Sequence, residues 1–448
     1  MKPGTYIGSC FLPNNPQKTF ESARLMVDEE AFELEISNKD LGYIDREIIC
    51  GTFNGIGPIT LVNCTLFSGQ GGNGGSFLKF RAEFCLDGHF QSSEELVFQE
   101  VNVFIPALFK WLQIHSIKTS LMFADDKFVS LEEPQDIKVC EVNGFVLKFI
   151  FYYSYNVRTR DGEIRLREGA GINFKSTSSD KHLREYMDII ANFRKLLFFL
   201  TNLDCGVEST VLFQDSESSV NLHTNQFKPF HPSTSSLRTT TYQNLKKNLE
   251  NIVSIWFNDN RIHISLDLIL EKSMNIGLSR ENFFLNSCFA LETFHRNFQD
   301  YSLMPQSEFR KLKEKLLKDL NPEETEFVKN RLSHFNSPSF KERLLAYKED
   351  FISLIPPNFD VEKYITTIVR TRNFLVHRSS QKTVFDSFDL LYAAIYIEGI
   401  AKLQILKFLE VDRNTIHQEY KKMQEDLTTK YRLNRIREPR ETKVNFQS

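Results

Sequence analysis

The sequence predicts an α+β protein in which a β-rich N-terminal domain, either a sandwich or a curled sheet with a flanking helix, precedes an all-α helical bundle. Apolar and polar residues alternate along many segments of residues 4–178, as in half-buried strands. From residue 242 onward, apolar residues recur at three- and four-residue steps, which indicates helices. Residues 231–241 (HPSTSSLRTTT) have a composition typical of a linker. We therefore expect domains at 1–230 and 242–412 and a basic tail at 413–448.

The composition favours a globular protein of a reducing compartment. The 448 residues are enough for two or three domains, and 41% of them are hydrophobic. The seven cysteines are scattered, are odd in number and form no C-x-x-C pair, which argues against a disulfide framework and a zinc site. No apolar run approaches the length of a membrane span, and the opening MKPGTYIGSCFLP lacks the apolar block of a signal peptide. We expect a cytoplasmic protein with no metal, cofactor or membrane contact.

The net charge of −3 is unevenly distributed. Residues 1–240 hold 23 Lys and Arg against 30 Asp and Glu, which gives −7. Residues 241–448 hold 32 against 28, which gives +4. The basic excess is modest, but it lies in the helical half of the chain. A polyanionic partner would therefore bind more readily to the helical half than to the acidic first half.

The strands of the first domain are predicted from alternation. FELEIS (32–37) and KFRAEFCL (79–86) alternate strictly, and Phe80, Ala82, Phe84 and Leu86 share one face of the second. Further candidates are ITLVNCTLF (59–67), ELVFQEVNVFI (95–105) and FVLKFIFYYSYNV (145–157). A short helix is expected near 106–115, and RDGE (160–163) predicts a hairpin turn into IRLRE. The glycine-rich SGQGGNGGS (68–76) predicts a flexible connection between strands rather than a phosphate-binding loop, since no Gly-Lys-Ser/Thr follows it and it opens no helix.

The remaining segments are mostly helical. HLREYMDIIANFRKLLFFLTN (182–202) predicts a helix that packs on the sheet, and TVLF (210–213) a short strand. Later helices are predicted at 242–256, 262–274, 280–298, from Asn321-Pro322, at 337–355, at 360–378 and at 387–411, where Gly399 would allow a close helix approach. The segment after 413 is amphipathic at first and then basic, which suits either a solvated helix or an RNA-facing arm.

The helix at 360–378 (DVEKYITTIVRTRNFLVHR) carries the candidate site. Its N-cap is Asp360, and its apolar face is formed by Ile365, Ile368, Val369 and Leu375. Its last turns concentrate polar and cationic side chains, namely Arg370, Arg372, Asn373, His377 and Arg378. A solvated basic helix end is the simple interpretation. The more specific interpretation is that these side chains form a binding site for an anion.

One imidazole beside guanidinium groups suits the cleavage of an RNA phosphodiester. His377 can take the proton of a ribose 2′-hydroxyl or return one to the leaving 5′-oxygen. Arg372 can hold the charge on the phosphorus oxygens. No metal is needed, because the nucleophile belongs to the substrate.

Helical geometry leaves the choice of arginine open. Arg372 and His377 lie about 140° apart on an ideal helix. Arg370, Asn373 and His377 share a face more closely. Either the helix unwinds before His377, or Arg370 performs part of the work. We favour Arg372, followed directly by Asn373, and keep Arg370 and Arg378 as supporting residues.

The sequence R-N-F-L-V-H (372–377) resembles the R-N-x-x-x-H motif of HEPN-domain ribonucleases, and A-L-E-T-F-H (290–295) is similar to a first helix of this group. His377 is the only histidine with an arginine at the required distance; Arg413 and His417 are one residue too close. The resemblance implies a helical bundle, a homodimer or a higher even oligomer, and metal-independent cleavage leaving a 2′,3′-cyclic phosphate. Glu292 would orient Arg372 or set the tautomer of His377, or else only pair with a nearby arginine. His295 is a weaker candidate for a functional role, and the alternative is a half-buried side chain that only fills space in the bundle.

The arrangement of the whole chain, with Y-I-G-S-C-F-L-P at its opening, resembles that of ApeA-type anti-phage proteins. This implies an endoribonuclease that arrests growth during infection, with the N-terminal domain as a sensor of a phage-derived trigger. Two alternatives remain: a HEPN-like bundle that binds nucleotide or protein without cutting, and a β-domain that binds a peptide or glycan with the bundle as a dimerisation device.

Overall fold

The computed structural model describes most of the chain, in two compact units, Met1–Phe230 and His231–Ser448. The described ranges are 1–28, 31–37, 46–72, 75–120, 128–158, 163–231, 240–274, 277–299, 301–332, 335–355, 360–377 and 384–437. The predicted turn at 160–163 and linker at 231–241 lie largely outside these ranges, and Arg378 lies entirely outside them.

The first unit is built mainly of β-strands, as predicted. Its strands are β1 (Gly4–Leu12), β2 (Asn15–Val27), β3 (Phe32–Ser37), β4 (Arg46–Phe53), β5 (Gly57–Gly72), β6 (Gly75–Ala82), β7 (Phe84–Asp87), β8 (Val97–Phe98), β9 (Glu100–Phe104), β10 (Ile117–Ser120), β11 (Phe128–Leu131), β12 (Ile137–Val142), β13 (Phe145–Arg158), β14 (Glu163–Ser176), β15 (Lys181–His182), β16 (Ser209–Phe213) and β17 (Ser219–Thr224). Its helices are α1 (Pro106–Leu112) and α2 (Leu183–Thr201).

Thirteen of these strands form one antiparallel sheet that curls into a barrel at one end. The order is β12-β13-β14-β9-β16-β17-β7-β5-β4-β1-β2-β3-β6, and β6 also pairs with β5. The second pairing closes β1–β6 into a six-stranded barrel, which removes the open edges at that end of the sheet. The curled sheet, rather than the sandwich, is therefore the form observed. The barrel interior is filled by alternate apolar residues, among them Leu25, Leu34, Ile36, Leu61 and Phe80.

One long strand, β5, serves both the barrel and the open part of the sheet. Its first half pairs with β7 and its second half with β6. The change of partner occurs at Asn63, whose φ of 55° is left-handed and is tolerated better by asparagine than by most residues. Asn63 Nδ2 donates to Glu83 Oε2 at 2.6 Å. The predicted strand 79–86 is accordingly divided at Glu83 into β6 and β7.

The glycine-rich segment is more regular than predicted. β5 and β6 extend into it and pair up to Gly72 and Gly75, so only residues 73 and 74 separate the two strands. The prediction of a loop over 68–76 is wrong in extent, because the glycines continue the strands. The segment still connects two strands and opens no helix.

α2 packs on the sheet as predicted. The ring of Phe193 lies 5.9 Å from that of Phe174 on β14 and 6.5 Å from that of Phe149 on β13. Tyr186 Oη donates to the carbonyl of Phe98 at 3.0 Å. The strand β17 was not predicted.

The second unit is helical. Its helices are α3 (Tyr242–Leu245), α4 (Leu249–Asn258), α5 (Arg261–Met274), α6 (Arg280–Phe298), α7 (Gln306–Leu317), α8 (Pro322–Leu332), α9 (Phe340–Leu345), α10 (Lys348–Leu354), α11 (Val361–His377), α12 (Ser387–Phe408) and α13 (Arg413–Arg437). α12 is central and is buried almost all round between α5, α6, α10 and α13. Gly399 leaves room for the side chain of Met423 on α13, whose Cε would lie 2.6 Å from a Cβ at that position. Among the described helices, none is both long and apolar enough to cross a membrane.

Three helix predictions differ from the structure. The predicted helix 242–256 is two helices, because Asn248 leaves the helical path and its Nδ2 donates to the carbonyl of Glu410 at 2.7 Å. The predicted helix 337–355 divides into α9 and α10 at Ala346 and Tyr347. The predicted tail begins inside the bundle, since Ile416, Met423 and Leu427 of α13 are buried. α7 was not predicted.

Candidate active site

α11 begins and packs as its sequence indicates. Asp360 Oδ1 accepts a hydrogen bond from the backbone N–H of Lys363 at 3.1 Å, which caps the helix. Ile365 and Ile368 are fully buried, and α11 contacts α6, α9 and α10. Thr371 is also buried, and its Oγ1 accepts from the N–H of Phe385 at 3.1 Å. These contacts fix the last turns of the helix relative to the bundle.

Arg372 is held between two helices. Its Nη2 lies 3.7 Å from Glu292 Oε2 on α6, and its Nη1 donates to Asn373 Oδ1 at 3.2 Å. The guanidinium carbon lies 5.5 Å from the ring centres of both Phe289 on α6 and Phe340 on α9. Two aromatic faces and one carboxylate orient the group.

The guanidinium retains donors for a ligand. An arginine carries five N–H donors. Only one is used in a hydrogen bond to another described residue, and Nε is buried without such a partner. The side chain is 21% exposed, so a phosphate can reach it from one side. The arrangement is an oriented, partly exposed cation against an apolar wall.

A buried thiol lies close to Arg372. Cys288, one turn before Glu292 on α6, is fully buried. Burial raises the pKa of its thiol well above the usual value, and the nearby charge of Arg372 opposes that rise only in part. The thiol is therefore neutral at physiological pH and unsuited to act as a nucleophile.

His377 is exposed and makes no contact with Arg372 of the same chain. α11 remains helical through His377, so the helix does not unwind before it. The two side chains thus leave the helix about 140° apart. No hydrogen bond or ion pair joins His377 to another of the described residues. The structure brings together Arg372, Asn373 and Glu292, and leaves His377 pointing to a different side.

Arg370 lies apart from the residues around Arg372. It lines a groove between α9 and α11 together with Lys341 and Lys363, around a cavity of about 330 Å³. The structure therefore separates the two arginines that the sequence left as alternatives. Arg372 lies against α6, whereas Arg370 lies in the groove on the side of α11 that carries His377.

The other two candidates, His295 and Glu292, each contact arginine side chains. His295 is buried, and its Nδ1 accepts from Arg343 Nη1 at 2.9 Å. Glu292 is also 3.1 Å from Arg296 Nη2, so its carboxylate contacts two arginines. Across the described residues, no group of three or more His, Cys, Asp or Glu side chains has an arrangement that would hold a metal ion.

The sequence analysis missed two residues that contact Arg372. Phe289 lies three residues before Glu292 on α6 and so shares its face, a spacing that would have identified it once Glu292 was chosen. Phe340 begins α9, and nothing in the local sequence connects it with Arg372, which is 32 residues further along. Lys341 and Lys363 were not singled out either.

A curled β-sheet unit followed by a helical bundle with an arginine–histidine motif on a bundle helix defines a class of two-domain HEPN proteins. Residues 5–256 match the family model for ApeA N-terminal domain 1, and residues 285–415 match the Apea-like HEPN model. The chain belongs to the ApeA family. No curated protein and no solved structure matches it. Its HEPN domain indicates a function of the ribonuclease and defence type.

Proposed function

We propose that the protein is an anti-phage endoribonuclease that cleaves RNA without a metal, by attack of the ribose 2′-hydroxyl on the adjacent phosphorus. The new bond joins O2′ to phosphorus and the P–O5′ bond breaks. The products are a 2′,3′-cyclic phosphate and a 5′-hydroxyl. The observation that carries the proposal is the guanidinium of Arg372, oriented by Glu292 and two phenyl rings with N–H donors left over.

Arg372 would stabilise the charge that develops on the non-bridging phosphate oxygens. A guanidinium can donate two parallel hydrogen bonds to a phosphate. Because Glu292 and the rings hold the group before substrate arrives, little reorganisation is needed in the transition state. Asn373, hydrogen-bonded to Nη1, would keep that edge of the guanidinium in place.

His377 would move the protons. Cleavage needs a base for the 2′-hydroxyl proton and an acid for the leaving O5′. Each motif contains one histidine, so two copies of the motif supply one residue for each task. In this proposal the base in one catalytic cycle is the neutral imidazole of one copy, and the acid is the imidazolium of the other.

The divergence of Arg372 and His377 supports a site composed of two chains. Side chains that leave one helix about 140° apart are directed away from each other. A twofold axis beside the exposed end of α11 would let His377 of one copy approach Arg372 of the second. We infer a homodimer, or an even oligomer built from such dimers, as the active form.

The proposed biological setting is defence within the cytoplasm. The seven cysteines are all buried and form no disulfide, which suits a reducing compartment. A ribonuclease that acts on the RNA of its own cell must be restrained, and we propose that the β-rich unit senses a phage-derived trigger and then releases the activity to arrest growth.

The decisive experiment is RNA cleavage by the full chain in the presence of EDTA, with analysis of the product ends. We compare the wild type with His377→Ala and Arg372→Lys. We expect 2′,3′-cyclic phosphates from the wild type, no cleavage by His377→Ala and a loss of about 100-fold or more for Arg372→Lys, since lysine retains the charge but not the paired donors.

His417→Ala is the matched control, because His417 is exposed on α13 and follows Arg413 at a spacing one residue too short. It should cut at the wild-type rate. Cleavage that requires a divalent metal would overturn the mechanism. Nucleotide binding without turnover, including in extracts of infected cells, would instead favour a non-catalytic binding module.

A further inference from the structure

A basic groove runs between α9 and α11, outside the set of residues around Arg372. We call it the α9–α11 groove. Its cavity has a volume of about 330 Å³. The lining combines three cationic side chains, Lys341, Lys363 and Arg370, with Leu345, Thr366, Thr367 and one acid, Glu362. The two helices are in contact, so both walls belong to one bundle. Its lining therefore presents three cations in a small space.

The positive charge of the α9–α11 groove is not neutralised by neighbours in the described part of the chain. Lys341, Lys363 and Arg370 are exposed, and none of them forms an ion pair with another described residue. The one acid, Glu362, has its carboxylate 2.7 Å from Lys348 Nζ. The groove thus has three cationic side chains and one acid that is already paired with Lys348, and this excess of positive charge favours binding of a polyanion.

The two threonines add little to anion binding. Thr366 Oγ1 donates to the carbonyl of Glu362 at 2.8 Å, and Thr367 Oγ1 donates to that of Lys363 at 2.9 Å. Because their hydroxyl protons are used within the helix, they offer a ligand only lone pairs and methyl groups. The attraction for an anion therefore depends on the lysines and the arginine.

The α9–α11 groove leads towards the histidine of the motif. Lys363, Arg370 and His377 are spaced by seven residues, so they lie within about 40° of one another on the surface of α11. Each step of seven residues advances about 10 Å along the axis. A stacked strand covers that distance in about three nucleotides. A strand lying in the groove would thus pass Lys363 and Arg370 and reach His377.

We propose that the α9–α11 groove binds the backbone of the RNA substrate to one side of the cleaved bond, with Lys341, Lys363 and Arg370 contacting phosphates spaced along the strand. The inference rests on the proposed ribonuclease function and deepens it. It makes Arg370 a substrate-binding residue, distinct from Arg372, which would contact the reacting phosphate. Recognition is by backbone charge, so the groove tolerates different base sequences.

The test measures binding of single-stranded RNA by the full-length His377→Ala protein over a range of salt concentrations. For single strands, each phosphate contact contributes about 0.7 to the slope of log affinity against log salt. Replacing Lys341, Lys363 and Arg370 together by glutamine should therefore reduce the magnitude of this negative slope by about 2. The charge-retaining set Lys341→Arg, Lys363→Arg and Arg370→Lys should leave the slope unchanged.

A matched control lies on α7, where Arg310, Lys311 and Lys315 are exposed and offer the same number of arginines and lysines. Their replacement by glutamine should leave the slope within experimental error. On the active background, the glutamine variant of the groove should raise KM with kcat nearly unchanged, which a catalytic role for Arg370 would not produce.

The inference is overturned if the groove variant keeps the wild-type slope, or if the α7 variant loses as much. It is equally overturned if the groove variant loses affinity for an acidic polypeptide such as polyglutamate but not for RNA. In each of these cases the wild type still cuts RNA, and the proposed function survives. A wild type that neither binds nor cuts RNA overturns both.

Discussion

Nη2 of Arg372 on α11 lies 3.7 Å from Oε2 of Glu292 on α6, and the other oxygen of that carboxylate lies 3.1 Å from Nη2 of Arg296. Glu292 is 16% exposed, whereas Arg296 is 61% exposed. Glu292 thus contacts an exposed arginine through one oxygen and the more buried guanidinium of Arg372 through the other.

Glu292→Gln tests this relationship. We expect kcat to fall by about 10- to 100-fold, since a small displacement of a positioned group can have an effect of that size. Thermal unfolding should change little, because glutamine retains the shape and part of the hydrogen bonding. Arg296→Gln is the control, and its activity should remain within about twofold, since exposed ion pairs contribute little. Equal losses in the two variants would contradict a positioning role for Glu292.

Mixtures of wild type and His377→Ala test whether two chains share one site. If both histidines of a dimer are needed, only the pure wild-type dimers cut. After subunit exchange, an equal mixture should then retain about a quarter of the wild-type activity. A retained half would show that each chain works alone. Mixing with His417→Ala, in which the motif is intact, should leave the activity unchanged.

A buried ion pair in α12 makes a testable contribution to stability. Lys402 Nζ lies 3.0 Å from Glu398 Oε1, with the side chains only 5% and 1% exposed. Glu398→Gln removes the carboxylate charge beside the buried ammonium and should lower the free energy of unfolding by about 3–5 kcal/mol. Replacing both residues by leucine should recover most of that loss. Urea titration measures both changes. The exposed Lys348–Glu362 pair serves as the reference, and Lys348→Gln should lower stability by less than about 1 kcal/mol.

Tyr420 on α13 should make the bundle sensitive to alkali. Its hydroxyl donates to Asp350 on α10, which also accepts from Gln404 Nε2 at 2.7 Å and from Lys407 Nζ at 3.0 Å. Burial, and then the charge of Asp350, raise the pKa of Tyr420 above its usual value.

The direction of the effect follows from linkage. A phenol whose pKa is raised by folding stabilises the folded state fully below the pKa of the unfolded chain, about 10, and this contribution is lost as the pH rises further. We expect the difference in unfolding free energy between the wild type and Tyr420→Phe to be constant up to about pH 9 and to shrink above pH 10. Tyr155→Phe is the control, because Tyr155 is 66% exposed. A difference that stays constant to pH 11 would contradict the assignment.

Local patterns predicted much of this protein. The alternation of FELEIS, the cap at Asp360 and the apolar stripe of α2 all depend on neighbours within one turn or one strand, and all are confirmed. α13 also carried a signal, since Ile416, Tyr420, Met423 and Leu427 recur at three- and four-residue steps in an otherwise polar segment.

The features that were not predicted depend on distant residues. The break at Asn248 contains neither proline nor glycine and is stabilised by the carbonyl of Glu410, 162 residues away. The barrel closes through the second pairing of β5, which alternation within a single strand cannot reveal. The placement of Arg372 against Phe340 and the separation of Arg370 into a groove likewise depend on how α9 packs on α11. The motif thus identified the helix that carries the candidate site, but tertiary packing determines which arginine faces which neighbour.

The sharing of β5 between the barrel and the open sheet has a consequence for folding cooperativity. A truncation after β6 would remove β7 and leave the first half of β5 with one row of unsatisfied backbone groups. We therefore expect the barrel to depend on β7 for folding, although its six strands are contiguous in the sequence. We expect the first 230 residues to unfold in a single transition, and a fragment of residues 1–82 to aggregate rather than to fold.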